Sequence, residues 1–320
     1  MTIAQSGDRC AGRIASLGVR PVHGLVLAIT MTIVAGAYLY SRSTWWLPEG
    51  VLTDLRDPEV SSAVGMIVST IQKTLPSGRI LDIPIATGSC FLISPDGVAL
   101  TNRHVVQELK EFQTSPLKAR LELEQTIRLE VKFYVFIRED QYEAEVLHTG
   151  GSYDEDYAIL KLPVRNPARY FRLCDSIALD RGDTVFALGY PGIARKPLSI
   201  QEGAEEVTRQ MIAATVGSRL RQQFKLRDFE YVQTKGAITR IVQEGSRTWI
   251  EHDAAIHHGS SGGPLLTSDC RVVGINTRGQ GPVVGDEEGN RDIAPILQYA
   301  LGLGHVKREI VPHAPAAVWR

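Results

Sequence analysis

Two serines stand in a glycine-rich segment, Gly259-Ser260-Ser261-Gly262-Gly263-Pro264-Leu265. A nucleophilic serine needs a backbone that turns tightly behind its hydroxyl and directs N–H groups at one point. Glycine tolerates the dihedral angles that such a turn requires. The segment therefore predicts a serine nucleophile in a tight turn.

A serine hydroxyl is a poor nucleophile until a base accepts its proton, and two upstream segments supply the groups for this. Thr101-Asn102-Arg103-His104-Val105-Val106 carries an imidazole, and Asp156-Tyr157-Ala158-Ile159-Leu160-Lys161 opens a predicted strand with a carboxylate. Along the chain the order is His, Asp, Ser, which is one of the orders known for this catalytic constellation. The three segments together predict acyl transfer through a serine.

Further motifs occur in the same order as in a known family. The chain also carries Gly88-Ser89-Cys90-Phe91-Leu92-Ile93, Asp253-Ala254-Ala255-Ile256 and Val273-Gly274-Ile275-Asn276. With TNRHVV, DYAILK and GSSGGPL, these resemble the GSGFxI, TNxHVV, DxAxLK, DAAI, GNSGGPL and VxGIN motifs of trypsin-like serine proteases of the HtrA/DegP type. The resemblance covers about residues 64 to 297. One motif alone is weak, whereas their succession is specific.

The resemblance implies both a fold and a mechanism. The fold would be all-β, with two six-stranded antiparallel β-barrels of the chymotrypsin/trypsin type. His104 would act as the base, Asp156 would orient the imidazole, and Ser261 would attack the peptide carbonyl. The backbone N–H groups of Gly259 and Ser261 would form the oxyanion hole. The resemblance further implies polypeptide substrates, a homotrimer as the usual assembly, and no cofactor or metal.

Neighbouring residues compete for two of these roles. Ser260 stands where the family often has Asn, which leaves Ser261 in the nucleophile position. Asp154 and Glu155 precede Asp156, but only Asp156 has the family's spacing to the strand that follows. The resemblance therefore assigns the triad to His104, Asp156 and Ser261.

The specificity pocket is also predicted by resemblance, from Ala255, Ile275 and Thr277. Ala255 stands at the approximate place where trypsin has the aspartate that attracts Lys or Arg. A small uncharged residue there favours aliphatic side chains before the scissile bond.

Three histidines, His252, His257 and His258, lie close to Ser261 in sequence. A metal site has to be considered, but no ordered acid or cysteine partner accompanies them, so solvent-facing loop side chains are predicted. Two of them, His257 and His258, replace the Asn-Pro that is common in the family, so the resemblance does not give the resting shape of the oxyanion loop.

Composition narrows the function classes. Lys and Arg number 35 against 36 Asp and Glu, for a net charge of −1, so no overall field attracts nucleic acid and no such partner is expected. Cys10, Cys90, Cys174 and Cys270 form no CxxC pair. This spacing favours small buried thiols over a disulfide, a zinc site or a redox motif.

The N-terminal region predicts a membrane anchor. Residues 24–40 form an uncharged apolar run close to the shortest that spans a bilayer, and basic residues precede it. Positive-inside reasoning places the N-terminus in the cytoplasm and the protease domain on the periplasmic side of a bacterial inner membrane. The alternative is secretion after signal cleavage, because Ala35-Gly36-Ala37 is typical of a signal-peptidase site.

These patterns divide the chain into regions. An insertion at about residues 193–233 is predicted to contain an amphipathic helix, which either packs on the barrel surface or gates the substrate cleft. The residues after 303 are too few for the PDZ module that HtrA-type proteins usually carry, so none is expected. The predicted regions are a cytoplasmic segment (1–23), a transmembrane anchor (24–40), a linker (41–60), the protease domain (61–303) and a C-terminal tail (304–320).

Local patterns predict several elements. A helix capped by Asp57 should lead into a strand from residue 64, and Pro95-Asp96-Gly97 should turn between two strands. Residues 132–147 read as a hairpin, residues 107–130 as a solvated helix or loop, and residues 297–303 as a short helix.

Two other functional interpretations remain. The chain can be a protease-shaped binding or scaffolding module whose triad no longer turns over. Alternatively, its site is latent until the insertion or a partner orders the oxyanion loop.

Overall fold

A computed structural model describes residues 47–152, 155–164, 168–175, 179–190, 231–257, 259–277, 283–285, 291–293, 298–304 and 306–319. The predicted anchor at 24–40 and nearly all of the insertion at 193–233 lie outside these residues. Within the described ranges no helix has the length and apolar character needed to cross a bilayer. The described residues from Glu49 onward belong to one compact unit.

The first half of this unit is a closed antiparallel barrel of six strands, in the order β1-β2-β3-β6-β5-β4. A short 3₁₀ helix, Pro58–Ala63, enters it, and helices α1 and α2 follow β3. The elements are β1 (Val64–Thr74), β2 (Ile80–Leu92), β3 (Val98–Thr101), α1 (Arg103–Gln113), α2 (Pro116–Gln125), β4 (Arg128–Ile137), β5 (Asp140–Thr149) and β6 (Ala158–Lys161).

Strand β1 is buried on both faces for nearly all its length. Alternate side chains of a strand point to opposite faces. Met66 and Val68 accordingly join one core cluster, whereas Ile67 and Ile71 join another that includes residues of α1. The Ser69 hydroxyl donates to the carbonyl of Val105 in α1 at 2.6 Å, so the helix that contains His104 is fixed to the barrel wall.

The second half is a sheet that closes on itself. Its order is β11-β8-β9-β10-β15-β12-β7, and β11 also pairs with β12, so six strands form a ring to which β7 adds in parallel. Strands β13 and β14 form a separate pair. The elements are β7 (Arg172–Leu173), β8 (Thr184–Gly189), β9 (Val232–Glu244), β10 (Arg247–His252), β11 (Pro264–Thr267), β12 (Arg271–Asn276), β13 (Val283–Gly285), β14 (Arg291–Ile293), β15 (Gln298–Gly302) and helix α3 (Lys307–His313).

The two six-stranded barrels confirm the predicted fold class. The predicted helix before β1 is also confirmed, as a 3₁₀ helix. Asp57 Oδ1 accepts a hydrogen bond from Glu59 N at 2.8 Å and so caps it. The segment 107–130 contains most of α1 and all of α2. The helix predicted at 297–303 is wrong: Gln298–Gly302 is β15, which pairs with β10 and β12. A short apolar run can form a helix or a strand. Here the backbone groups of β10 and β12 pair with this segment, which makes it a strand.

Three cysteines, Cys90, Cys174 and Cys270, are buried and unpaired, as their spacing predicted. Burial raises the pKa of the Cys90 and Cys270 thiols to about 12, because a thiolate is poorly solvated in the core. Both are therefore neutral, apolar packing groups. The fourth cysteine, Cys10, lies outside the described residues.

Candidate active site

His104 and Asp156 form a close pair between the first helix and the start of β6. His104 Nδ1 lies 2.8 Å from Asp156 Oδ2 and 3.0 Å from Oδ1. A carboxylate accepts only from a protonated nitrogen, so this contact places the imidazole proton on Nδ1. The lone pair of Nε2 is then available to accept a proton.

The same carboxylate caps helix α1. His104 is the second residue of that helix, and its backbone N–H donates to Asp156 Oδ1 at 3.0 Å. The first N–H groups of a helix have no partner within it and carry partial positive charge. The N-cap residue, Asn102, forms no side-chain cap, because its Nδ2 donates to the backbone carbonyl of Asp156 at 2.7 Å. The helix start and Asp156 therefore hold each other in place.

Asp156 receives one more donor from the second barrel. The hydroxyl of Thr277, directly after β12, donates to Asp156 Oδ2 at 2.7 Å. Burial by itself opposes ionisation, but the hydrogen bonds and charge of His104 and the Thr277 bond outweigh it. The pKa of Asp156 consequently lies below its usual value, and the group is a carboxylate at neutral pH.

The Ser261 turn is fixed to strand β12 by Asn276. The backbone N–H of Gly262 donates to the Asn276 carbonyl at 2.8 Å, and the Asn276 N–H donates to Gly263 at 2.8 Å. The side chain of Asn276, which is fully buried, donates to the Pro264 carbonyl at 2.9 Å. Three bonds to the three residues after Ser261 define the backbone on its C-terminal side.

On its other side the turn meets the first barrel. The carbonyl of Ser261 accepts from Ser89 N of β2 at 2.8 Å. Gly262 has φ +88°, and a Cβ atom there would collide with Ser89 O and Thr101 Oγ1 and lie 3.0 Å from Asn102 N. The Ser261 turn thus touches the chain two residues before His104. The structure brings the three predicted triad residues into one region where the barrels meet.

Within the predicted oxyanion loop, the structure describes His257 and the residues from Gly259 onward. Gly259 has φ +95°, a conformation that favours glycine. Ser260 N donates to the His257 carbonyl at 2.9 Å, and His257 N donates back to Ser260 Oγ at 3.3 Å. Ser260 is buried and supports this loop from within, whereas Ser261 is partly exposed.

The protein-family model for the trypsin-like peptidase domain matches residues 88–275 of this chain, which is more than half of its 320 residues. The chain belongs to the trypsin-like peptidase family. The matched part of this peptidase contains all three triad candidates, His104, Asp156 and Ser261.

Curated relatives of the peptidase are serine proteases of the HtrA group. It is 28% identical over 243 residues to serine protease HTR4 of Bos taurus, covering 70% of this chain and 40% of that protein. It is 30% identical over 196 residues to serine protease HTRA4 of Mus musculus, covering 61% of this chain and 30% of the relative.

A bacterial relative shows a similar likeness. The peptidase is 28% identical over 191 residues to a probable periplasmic serine endoprotease, DegP-like, of Chlamydia pneumoniae, covering 59% of this chain and 28% of that protein. The chain therefore spans less than half the length of these relatives. The family and the relatives support a serine endopeptidase of the HtrA type.

The three residues predicted to line the specificity pocket lie in different surroundings. Ile275 is fully buried within a core cluster that contains residues of both barrels, so its side chain offers no surface to a substrate. Thr277 turns its hydroxyl to Asp156, the predicted orienting acid. Ala255 is exposed, and its carbonyl accepts from Thr234 Oγ1 at 2.7 Å.

The histidines near Ser261 do not share one environment. His252 is 1% exposed inside the second barrel, which overturns the expectation that it faces solvent, and His257 is exposed. Burial lowers the pKa of His252 to about 4, although Asp253, the backbone of Ala254 and the Asn276 side chain favour the charged form. His258 lies outside the described residues, as does Asp154.

Sequence reasoning did not find the supporting roles of Ser89, Asn102 and Thr277. Ser89 and Asn102 lie within motifs that carried the family resemblance, and Thr277 directly follows one, which is the one signal available for them. Their partners are distant in the chain: Ser89 bonds to Gly259 across 170 positions and Thr277 to Asp156 across 121. Such contacts depend on how the barrels pair and have no local pattern.

Proposed function

We propose that this chain is an active serine endopeptidase that cleaves polypeptides through His104, Asp156 and Ser261. The observation that carries the proposal is the His104–Asp156 pair, at 2.8 Å, beside a Ser261 turn fixed to both barrels. The pair prepares Nε2 of the imidazole as a base, and the turn holds Ser261, which is partly exposed.

The reaction follows from these groups. Ser261 Oγ bonds to the scissile carbonyl carbon while His104 Nε2 accepts the hydroxyl proton. The imidazolium, stabilised by the Asp156 carboxylate, then gives that proton to the leaving amine as the C–N bond breaks. Water next attacks the acyl ester, with the same imidazole accepting its proton, and Ser261 is regenerated. No other co-reactant is needed.

Charge on the carbonyl oxygen would be met by backbone N–H groups of Gly259 and Ser261. Within the described part of the chain, neither group donates to a carbonyl or side-chain oxygen, which leaves both available for the substrate. Removing one such donor costs about 100-fold or more in rate in other enzymes. Side chains are not required for this role.

The proposal is tested with a fluorophosphonate probe on the full chain. Labelling of the wild type that is lost in Ser261→Ala, together with loss of casein hydrolysis, is the expected result. Ser260→Ala is the matched comparison, and it should keep the label at Ser261 even if its weaker loop slows labelling. Absence of labelling in a folded wild type would support the alternative of a binding module without turnover.

Substrate preference is proposed from Ala255. An exposed, small and uncharged residue in this position favours aliphatic side chains before the scissile bond. Mass-spectrometric profiling of a peptide library with the wild type, using Ser261→Ala to subtract background, measures the preference directly. Cleavage mainly after Lys or Arg would refute it.

We further propose that residues 24–40 anchor the peptidase, with its catalytic domain outside the cytoplasm. The apolar run and its basic flank support this, as does the periplasmic relative. Full-length Ser261→Ala should remain in carbonate-washed membranes and be digested by external protease in spheroplasts. Recovery of a shortened chain in the soluble fraction would favour signal cleavage.

A further inference from the structure

Ser89, in strand β2 of the first barrel, joins four segments around the site. Its N–H donates to Ser261 O at 2.8 Å and its hydroxyl donates to Gly259 O at 2.7 Å. The same hydroxyl accepts from Tyr190 N at 2.9 Å, and the Ser89 carbonyl accepts from Thr101 Oγ1 at 2.7 Å. Ser89 is fully buried, so water does not compete for these bonds.

The hydroxyl of Ser89 acts on one peptide group in particular. The Gly259 carbonyl and the Ser260 N–H belong to the same peptide plane. Ser89 Oγ holds the carbonyl, and the His257 carbonyl accepts from the N–H at 2.9 Å on the opposite side. A plane held at both ends cannot rotate freely, even though Gly259 itself has wide conformational freedom.

Two neighbouring segments approach Ser89 closely at glycines, Gly189 and Gly262. A Cβ atom on Gly189 would lie 2.9 Å from Ser89 Oγ and 2.9 Å from Ser260 Cα. A Cβ atom on Gly262 would collide with the Ser89 carbonyl. Glycines on both neighbouring segments therefore let the Ser261 loop and the end of β8 close around this one side chain.

We propose that Ser89 is a positioning residue for catalysis, whose hydroxyl holds the oxyanion loop in the conformation that stabilises the transition state. This inference rests on the proposed endopeptidase function. Ser89 does not touch the substrate; it acts through Gly259 and Ser261, the two residues whose N–H groups would meet the oxyanion. Such donors are effective only when they are held in place before the reaction.

The test substitutes Ser89→Ala in the full chain, which removes the hydroxyl and keeps the strand. Loss of loop order should lower kcat of peptide hydrolysis about 10- to 100-fold with little change in KM, since ground-state binding does not use the oxyanion contact. Ser94→Ala is the matched control: Ser94 is also fully buried, and its hydroxyl bonds to Asp96 and Val98 at the β2–β3 turn. It should cost stability without lowering kcat.

Thermal unfolding of each variant sets an assay temperature at which all chains are folded, so that kcat does not report unfolding. Ser89→Cys keeps a weak donor of similar shape, so its kcat should lie between those of the wild type and Ser89→Ala. If Ser89→Ala does not fold, Ser89→Cys is compared with the wild type in its place. Wild-type kcat in the variant that folds, or a kcat loss no larger than that of Ser94→Ala, would overturn the assignment. An inactive wild type would instead refute the proposed function, and the assignment with it.

Discussion

Asp156 is stabilised by three donors that come from two distant parts of the chain. The imidazole and the backbone N–H of His104 approach one side, and the Thr277 hydroxyl approaches Oδ2 from the second barrel. A buried carboxylate remains charged only when such donors offset its lost hydration. Each donor therefore also helps to hold the imidazole in the tautomer that leaves Nε2 free.

Thr277→Val should lower kcat/KM about 3- to 10-fold, because it removes one hydrogen bond from a buried charge and leaves the shape of the side chain nearly unchanged. Steady-state kinetics on a peptide substrate measures the effect. Thr248→Val is the matched control in the same barrel, because the Thr248 hydroxyl is also buried and donates to Gln243 Oε1 at 3.0 Å, away from the triad residues. Equal kinetics for the two variants would contradict a role for Thr277 at the site.

At the residue scale the sequence predicts the reacting residues better than the residues that hold them in place. Ser261, His104 and Asp156 are recognisable because each sits in a short motif with its own local backbone requirement. Thr277 was placed in a specificity pocket because the segment from Ile275 onward lies near the pocket wall in the family. Only the pairing of the barrels shows that its hydroxyl points to Asp156.

At the scale of elements, the C-terminal region is the main departure from expectation. Residues 304–320 read as a tail, yet Val306, Ile310 and Ala314 are buried in the cluster shared by both barrels. The α3 helix that carries Ile310 is short and contains Pro312, so its helical propensity is poor. Tertiary burial, which no local pattern records, holds it in place.

Ile310→Ala should therefore lower the free energy of unfolding by about 2–4 kcal/mol, the usual cost of emptying a filled core site. Urea denaturation followed by fluorescence measures it, in the Ser261→Ala background to prevent self-digestion. Val311→Ala is the control in the same helix, because Val311 is 45% exposed and should change stability by less than about 0.5 kcal/mol. Similar effects of the two substitutions would mean that α3 does not pack as described.

The strands show which patterns suffice. The hairpin at 132–147 and the turn at Pro95 to Gly97 were predicted from alternation and turn residues, and β3, β4 and β5 confirm them. Strand β15 was mistaken for a helix because its five residues carry no alternation strong enough to exclude one. Its identity depends on Trp249–His252 and Gly274–Asn276, which pair with it on either side.

At the scale of the molecule, the two barrels are joined where distant parts of the chain meet. The connector between the barrels is the segment between β6 and β8. In it, the backbone N–H of Tyr170 donates to Gly50 O at 3.1 Å, and the Tyr170 carbonyl accepts from Leu52 N at 3.0 Å. Leu173 donates to Val318 O at 2.8 Å, close to the other end. Segments before the first barrel and after the second thus both bind the connector. We therefore expect the described domain to unfold as one cooperative unit.

That cooperativity makes a buried titratable group in one barrel a determinant of the stability of the whole domain. His252 has a pKa lowered to about 4 by burial, against 6.5 for an unburied histidine. Between these values the unfolded chain binds more protons than the folded chain, so stability falls as the pH is lowered from about 6.5 to 4. The loss is about 3 kcal/mol over this window and is complete below pH 4.

His252→Gln should flatten this part of the pH–stability curve, because glutamine does not titrate and is close to histidine in size. Urea denaturation of Ser261→Ala chains at intervals from pH 4 to 8 gives the free energy of unfolding of variant and parent. Their difference removes the contribution of titratable groups that both chains share. The Ser261→Ala parent, measured in the same series, is the control. A parental slope in His252→Gln would show that the ring is protonated without unfolding the barrel.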